Sequence, residues 1–269
     1  MQNQAQAHNW KKNSDLRKAI VDLVIKGKGG HIPSAFSIVD IIDTAYGGLL
    51  RYDPKNPDWD GRDYFILSKG HGCAALYVVL KKYGFVTQSD MDKYLSFEGI
   101  LGGHPDKTKV PGVEASTGSL GHGLPFSTGI ALGLKIKDMT NRVIVLVGDG
   151  ECHEGTIWEA ALVSQNYKLN NLCCIVDLNG SAEQVLPHPD ISEQWSAFGW
   201  RVRVIDGHDV NQISAALSEF YSYKGEQPTA IIANTVKGKG VGMMETHGPW
   251  HYKVPNREEY EAILAELQR

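Results

Sequence analysis

The sequence predicts an α/β fold, a mostly parallel sheet with helices on both faces, and three observations predict it. Short apolar runs alternate with stretches of about 10–15 residues at helical period. The run 143–147 ends in Gly148-Asp149-Gly150, a helical pattern follows, and a second apolar run closes in Asp177-Leu178-Asn179-Gly180. That is a βαβ unit, whose right-handed crossover brings both strand ends to one edge of the sheet. The 269 residues, without internal repeat, low-complexity segment or linker, suit one large domain over 1–269.

Apolar positions at helical spacing predict a first helix over 14–27, with Ser14 as N-cap and Gly27 as stop. A second is expected over 37–50, opened by Ser37 and closed by Arg51-Tyr52-Asp53-Pro54. Strand 63–67 leads into Ser68-Lys69-Gly70-His71-Gly72, and a helix continues to Tyr83. Another short helix is expected over 88–97. The connection 99–123 is rich in glycine, holds His104 and His122, and is long enough that a functional role is its natural reading. Helix 130–137 then leads to the strand 143–147. Further on, 200–205 reads as a strand, 206–209 as a turn and 210–223 as an amphipathic helix. A strand over 229–236 ends in Lys237-Gly238-Lys239-Gly240, and 257–268 is the last helix.

Composition excludes several functions. A net charge of −4 leaves no basic excess for nucleic acid or an anionic membrane, so an anionic ligand must be held by local geometry. No stretch approaches the ~20 apolar residues of a membrane span. The opening MQNQAQAHNWKK lacks the apolar run of a signal peptide, and a cytoplasmic location is expected. Cys73, Cys152, Cys173 and Cys174 form no C-x-x-C pair, and the adjacent two point to opposite faces of a predicted strand. These are buried thiols of a reducing compartment, not a disulfide scaffold or zinc site. Six of the ten histidines adjoin a glycine: His31, His71, His104, His122, His208 and His247. Imidazoles beside close-approach backbone read as site residues.

Asp149 and Asn179 carry the sharpest chemistry. Both reach the carboxyl edge of the sheet, where ligands of open α/β sheets bind. A carboxylate and an amide oxygen are hard donors suited to Mg²⁺ or Ca²⁺, and Mg²⁺ typically arrives with a phosphate in its shell. The glycines flanking Asp149 admit a phosphate to the backbone, and the following helix aims its N–H groups and dipole at an anion. A tight turn, or an Asx turn at Asn179-Gly180, would explain either half alone. Together, at βαβ spacing, they favour a metal-bridged diphosphate.

A strand ending in GDG, a helix, then a strand ending in Asn is similar to the thiamine diphosphate signature. The surrounding words narrow it: GGHIPSAFS at 29–37, LRYDPKNPDW at 50–59, LSKGH at 67–71, GGHPD at 102–106, STGSLGHGL at 116–124, GDGECHEGTIWEAA at 148–161 and TVKGKGV at 235–241. In order and nearly end to end, they resemble the amino-terminal, diphosphate-binding half of transketolase. The resemblance implies a thiamine diphosphate-binding fold of the diphosphate-binding type. It implies Mg²⁺, or Ca²⁺ in its place, on Asp149, Asn179 and the Ser181 backbone carbonyl. Gly150 would offer its N–H to the diphosphate, and His71 and His251 would hydrogen-bond it. His31 and His104 would face the donor ketose, and His251 is counted with them as catalytic. Gly118, with Ser119, would support the aminopyrimidine, and Leu120 would wedge the cofactor into its bent shape. Glu154, counted with the cofactor residues, and Glu159 match acids that link paired active sites, although acids at a helix start are favoured by the dipole alone.

The other histidines have plainer readings. His8 and His188 are expected to be solvated, and His208 in DGHD to make a structural turn contact. His247, followed by glycine, competes with His251 for the cofactor role, and spacing from KGKGV and the preceding Trp favours His251. His122 and His153 stand where the family commonly has glutamine, and the segment GSAEQVLPHPDISEQW is shorter than its family counterpart.

In the family, a glutamate beside the pyrimidine N1′ comes from the half that would follow, and no residue here matches it. The resemblance therefore implies a separate carboxy-terminal transketolase subunit supplying that glutamate, in a heterotetramer or similar assembly. The reaction implied is transfer of a two-carbon ketol unit from a ketose phosphate to an aldose phosphate. A related ketol or acyl transferase of secondary metabolism, or a non-catalytic regulatory subunit of the same fold, are the alternative expectations.

Overall fold

Alternate side chains on each strand bury against two different sets of helices, and this fixes the layering. A computed structural model describes residues 13–183, 185–187, 190–245 and 249–268. Its strands are β1 (Tyr64–Leu67), β2 (Val143–Gly148), β3 (Leu172–Leu178), β4 (Arg201–Asp206) and β5 (Thr229–Asn234). They lie in the order β1-β2-β3-β5-β4, every neighbouring pair parallel. On β2, Ile144 and Leu146 enter one core while Val143, Val145 and Val147 enter the other; on β3, Cys173 and Ile175 oppose Leu172, Cys174 and Val176. The adjacent thiols thus lie on opposite faces as expected, and all four cysteines are free and buried. The edge strand β4 is partly exposed, and its Arg201 and Arg203 pair with Glu219, charges that discourage a further strand from docking.

The first core is covered by α1 (Asn13–Gly27), α2 (Ile32–Phe36), α3 (Val39–Tyr46), α4 (Cys73–Lys82) and α5 (Gln88–Asp92). The second lies under α6 (Gly123–Ile136), α7 (Gly155–Asn166) and α8 (Ile191–Ala197), with Trp195 wholly buried. The first is completed by α9 (Val210–Ser222), α10 (Gly242–Glu245) and α11 (Arg257–Leu267). Among the described residues no helix is long and apolar enough to cross a membrane.

Several boundaries differ from the sequence expectation, each for a local reason. The helix expected over 37–50 runs only from Val39 to Tyr46, as α3, and a separate short helix, α2, with Pro33 in its first turn, precedes it. At the break the Ser37 hydroxyl donates to Asp177 Oδ2 at 2.8 Å. The helix expected over 88–97 ends at Asp92, because Leu95 turns left-handed (φ 58°) and Gly99 packs onto the Lys93 carbonyl. α6 begins at Gly123 rather than 130, and β5 ends at Asn234 rather than 236. Ser14 lies inside the first turn of α1 rather than capping it. α2, α8 and α10 have no counterpart in the sequence expectation. His8, His188 and His247 lie outside the described residues.

Gly123 packs the start of α6 against the end of β1: an added Cβ would meet Ser68 Cβ at 2.3 Å and Ser68 Cα at 2.8 Å. Gly123→Ala is therefore expected to cost about 1–3 kcal/mol of stability, read from urea unfolding. An unchanged midpoint would contradict that packing.

Candidate functional site

Every strand of the sheet sends polar residues beyond its carboxyl end, and a buried ion pair underlies them. Lys69, just past β1, places Nζ 2.5 Å from Asp177 Oδ2 near the end of β3, with side chains 1% and 0% exposed. Asp177 also accepts from Ser37 Oγ (2.8 Å), Asn179 Nδ2 (2.7 Å) and Thr235 Oγ1 beyond β5. Burial pushes its pKa up, but the Lys69 charge and these donors outweigh burial and hold the carboxyl below its usual range. Sequence reasoning missed this pair. The available signal was a lone acid in the apolar strand LCCIVDL and a lysine directly after the β1 run.

The structure brings Asp149, Gly150, Asn179 and Ser181 together above it. Asp149 follows β2 and its N–H donates to the Asp177 carbonyl at 3.1 Å. Its carboxylate accepts from Gly150 N–H (2.8 Å) and Ala182 N–H (3.3 Å). Asn179 is oriented by Asp177 through its Nδ2, so Oδ1 turns the other way and accepts from Ser181 N–H at 3.0 Å. An amide oxygen has two lone pairs, so capacity remains there for a cation. Among the described residues no group of three His, Cys, Asp or Glu side chains is arranged to hold a metal. A cation here would draw on one carboxylate, one amide and backbone carbonyls, the oxygen set of a hard divalent ion. Two observations fit a ligand: the Ser181 hydroxyl is buried without a hydrogen-bond partner, and a Cβ on Gly150 would meet nothing within 4 Å.

Beside this edge His31, His71 and His251 converge. Ring centroids are 5.2 Å apart for His31–His71, 5.1 Å for His31–His251 and 6.3 Å for His71–His251. Lys237, from the loop after β5, lies with Nζ 3.2 Å from His251 Nδ1. Burial, then the charges of His251, His104, Lys237 and Lys69, push His31 down to about 4. Burial and Lys69 take His71 to about 2, and burial with Lys237 and Lys69 lowers His251. All three rings are neutral at pH 7, each able to donate and accept. Burial also lowers Lys237, against which Asp149 and Asp177 act. Lys237 is a second residue that the sequence reading left unassigned.

Two loops close the far side. Tyr77 O–H donates to the His104 carbonyl at 2.9 Å, and a Cβ on Gly118 would come 3.2 Å from the His104 ring. Buried Glu151 accepts from Ser68 Oγ (2.6 Å), Gly121 N–H (2.8 Å) and Gly148 N–H (2.9 Å), tying the Gly118–Gly121 turn to the β2 end. His104, Ser119, Leu120, His122, His153, Glu154 and Glu159 are exposed, and of these His104 is near enough for its charge to act on His31. His208 makes a buried contact with Asp40 rather than a turn contact alone, Nδ1 lying 2.8 Å from Oδ2.

Residues 9–259 match the family described as transketolase, thiamine diphosphate binding domain. One of the apulose-4-phosphate transketolase subunits, from Phocaeicola vulgatus, is 39% identical, over 93% of this chain and 90% of its own. The 6-deoxy-6-sulfo-D-fructose transketolase subunit of Clostridium sp. (strain MSTE9) is 34% identical, over 94% of each. The solved transketolase of Campylobacter jejuni superposes with a TM-score of 0.88 at 29% identity, over 95% of this chain and 42% of that one. This chain thus spans less than half of that enzyme.

Removing one member of the buried pair should be severe. Lys69→Met is expected to destabilise by about 3–5 kcal/mol, since Asp177 is left as an uncompensated buried charge; denaturant unfolding measures it. The histidines predict a pH dependence. Their folded pKa values, about 4 for His31 and about 2 for His71, lie below the ordinary 6.5. The unfolded chain therefore takes up protons first on acidification, and stability falls from pH 6.5 toward 4. Unfolding midpoints across that range should slope less in His71→Gln; an equal slope would show that His71 is not a source.

Proposed function

The chain belongs to the transketolase family, and from that membership we propose that it is the amino-terminal subunit of a two-chain, Mg²⁺-dependent transketolase. The observation that carries this is the meeting of Asp149 and Asn179 at the ends of neighbouring parallel strands, over the Lys69–Asp177 pair and beside neutral imidazoles. The second chain is supported by the length relations: relatives named as subunits match over at least 90% of their length, whereas a whole transketolase is spanned only to 42%.

In this reading Asp149, Asn179 and the Ser181 carbonyl hold Mg²⁺, with Ca²⁺ as its substitute. Gly150 N–H, His71 and His251 hydrogen-bond the diphosphate, and Lys237 offsets its charge. Gly118 and Ser119 support the aminopyrimidine, Leu120 shapes the cofactor, and Glu154 and Glu159 lie toward the paired site. Thiamine diphosphate, when bound, supplies the carbon nucleophile that cleaves a ketose next to its carbonyl. His31 and His104 face that ketose. As a neutral ring, His31 can donate to a carbonyl oxygen or accept from a hydroxyl without importing charge. The relatives are named for apulose 4-phosphate and 6-deoxy-6-sulfo-D-fructose, so ketoses bearing an anionic group are the substrate class proposed. The partner supplies the pyrimidine-site glutamate, in a heterotetramer of the cytoplasm.

The test mixes the purified chain with its complementary subunit. Ketol transfer should appear only in the mixture; turnover by the lone chain would sink the two-chain reading. Calorimetry on the mixture should show Mg²⁺-dependent binding of thiamine diphosphate that Asp149→Ala weakens by more than the ~10–100-fold that the loss of an outer-shell partner costs a metal site. Binding unaffected by that substitution would remove Asp149 from the metal site.

A further inference from the structure

Behind the histidines lies a buried polar cluster that the chemistry above does not use. Arg17 of α1 grips Asp40 of α3 with two prongs, NH1 to Oδ1 at 3.0 Å and NH2 to Oδ2 at 2.6 Å, the residues being 6% and 2% exposed. Asp40 Oδ2 is also 2.8 Å from His208 Nδ1, and Asn13 Nδ2 donates to its Oδ1. Both outer ends of the cluster grasp the loop that carries Lys237. Val236 N–H donates to His208 Nε2 at 2.9 Å, and Arg17 Nε donates to the Lys239 carbonyl at 2.9 Å. Because Nε2 must keep its lone pair for Val236, the ring proton sits on Nδ1 and points at Asp40. Between these anchors Gly238 N–H donates to the Pro33 carbonyl at 3.0 Å, next to the segment bearing His31.

We propose that Arg17, Asp40 and His208 are positioning residues that suspend the 236–239 loop so as to hold the Lys237 ammonium beside His251, where it meets the diphosphate. The second half of that statement rests on the diphosphate reading; the first does not. A fastener serving stability alone would join α1 and α3 to the turn after β4. Here the hydrogen bonds continue past that turn and end on Val236 and Lys239, on either side of Lys237. A buried charged cluster is costly to desolvate compared with apolar packing, and what this one secures is the conformation of the loop around one lysine.

Titration of the His251 imidazole in the full chain, followed by NMR, reads the proposal without cofactor. The groups facing His251 are His31, His71, Lys237 and Lys69; burial, then the two lysines, hold its pKa down. His208→Phe keeps a ring but removes both hydrogen bonds, and should move the His251 titration upward as Lys237 leaves. His208→Gln, whose amide oxygen can still accept from Val236, should restore it. Lys237→Met should raise it directly, and adding His208→Phe should move it no further. An unchanged His251 titration in folded His208→Phe overturns the proposal. If that variant does not fold, Arg17→Lys, which keeps a cation for Asp40 but loses the reach to Lys239, must give the same upward shift or the proposal fails. Affinity for inorganic diphosphate with Mg²⁺ should fall about tenfold in His208→Phe, as for a lost charge-assisted contact. Equal affinity in variant and wild type overturns the role at the diphosphate. No diphosphate binding by the wild type overturns the reading of the site, while the His251 titration still decides whether the cluster positions Lys237.

Discussion

The Lys69–Asp177 ion pair is the constraint on which the rest of the site depends. Two charges removed from water are stable only when their geometry is good and their remaining hydrogen-bonding capacity is met. Here Ser37, Asn179 and Thr235 meet it, so one carboxylate joins the ends of β1, β3 and β5 to the break between α2 and α3. The same requirement orients Asn179. Its amide nitrogen is committed to Asp177, which fixes the oxygen as the atom turned toward Ser181 and the ligand side. A structural ion pair thereby decides which end of an amide the site presents.

The imidazoles follow from the same foundation. Burial strips water from His31, His71 and His251, and Lys69 and Lys237 add positive charge beside them, so a further cation there is unfavourable. The rings are thus held neutral, and a neutral ring is both donor and acceptor, which a protonated one is not. In the proposed reading an anion meets Lys237, Lys69 being committed to Asp177, and a sugar oxygen meets the histidines, whose part does not depend on proton uptake.

Much of this is legible in the sequence, and the losses have physical causes. Asp149 and Asn179 can be placed because βαβ topology converts a separation along the chain into adjacency at a sheet edge. The opposed faces of Cys173 and Cys174 follow from the two-residue period of a strand. The Lys69–Asp177 and Arg17–Asp40–His208 contacts are not legible, because each joins elements far apart in the chain whose pairing no local period encodes. The first two turns of α6, GLPFSTG, have the composition of a loop, which hides them from a reading by pattern. They are helical because Gly123 packs onto Ser68 and because the loop before them is tied down by Glu151. α8 is hidden by its brevity, although Ile191 and Trp195 stand four residues apart on its buried side. The histidine group shows the reverse: residues from three separate segments meet in space, yet His104 stays at the exposed rim, a distinction of depth that composition does not carry.

The polar groups at the strand ends satisfy one another: Asp149 accepts from Gly150 and Ala182, Asn179 from Ser181, and Glu151 from three donors. A site whose parts are already held in place charges an arriving ligand little ordering entropy. The shape of this edge is then settled by the folding of the chain, as a mould is cut before anything is cast in it.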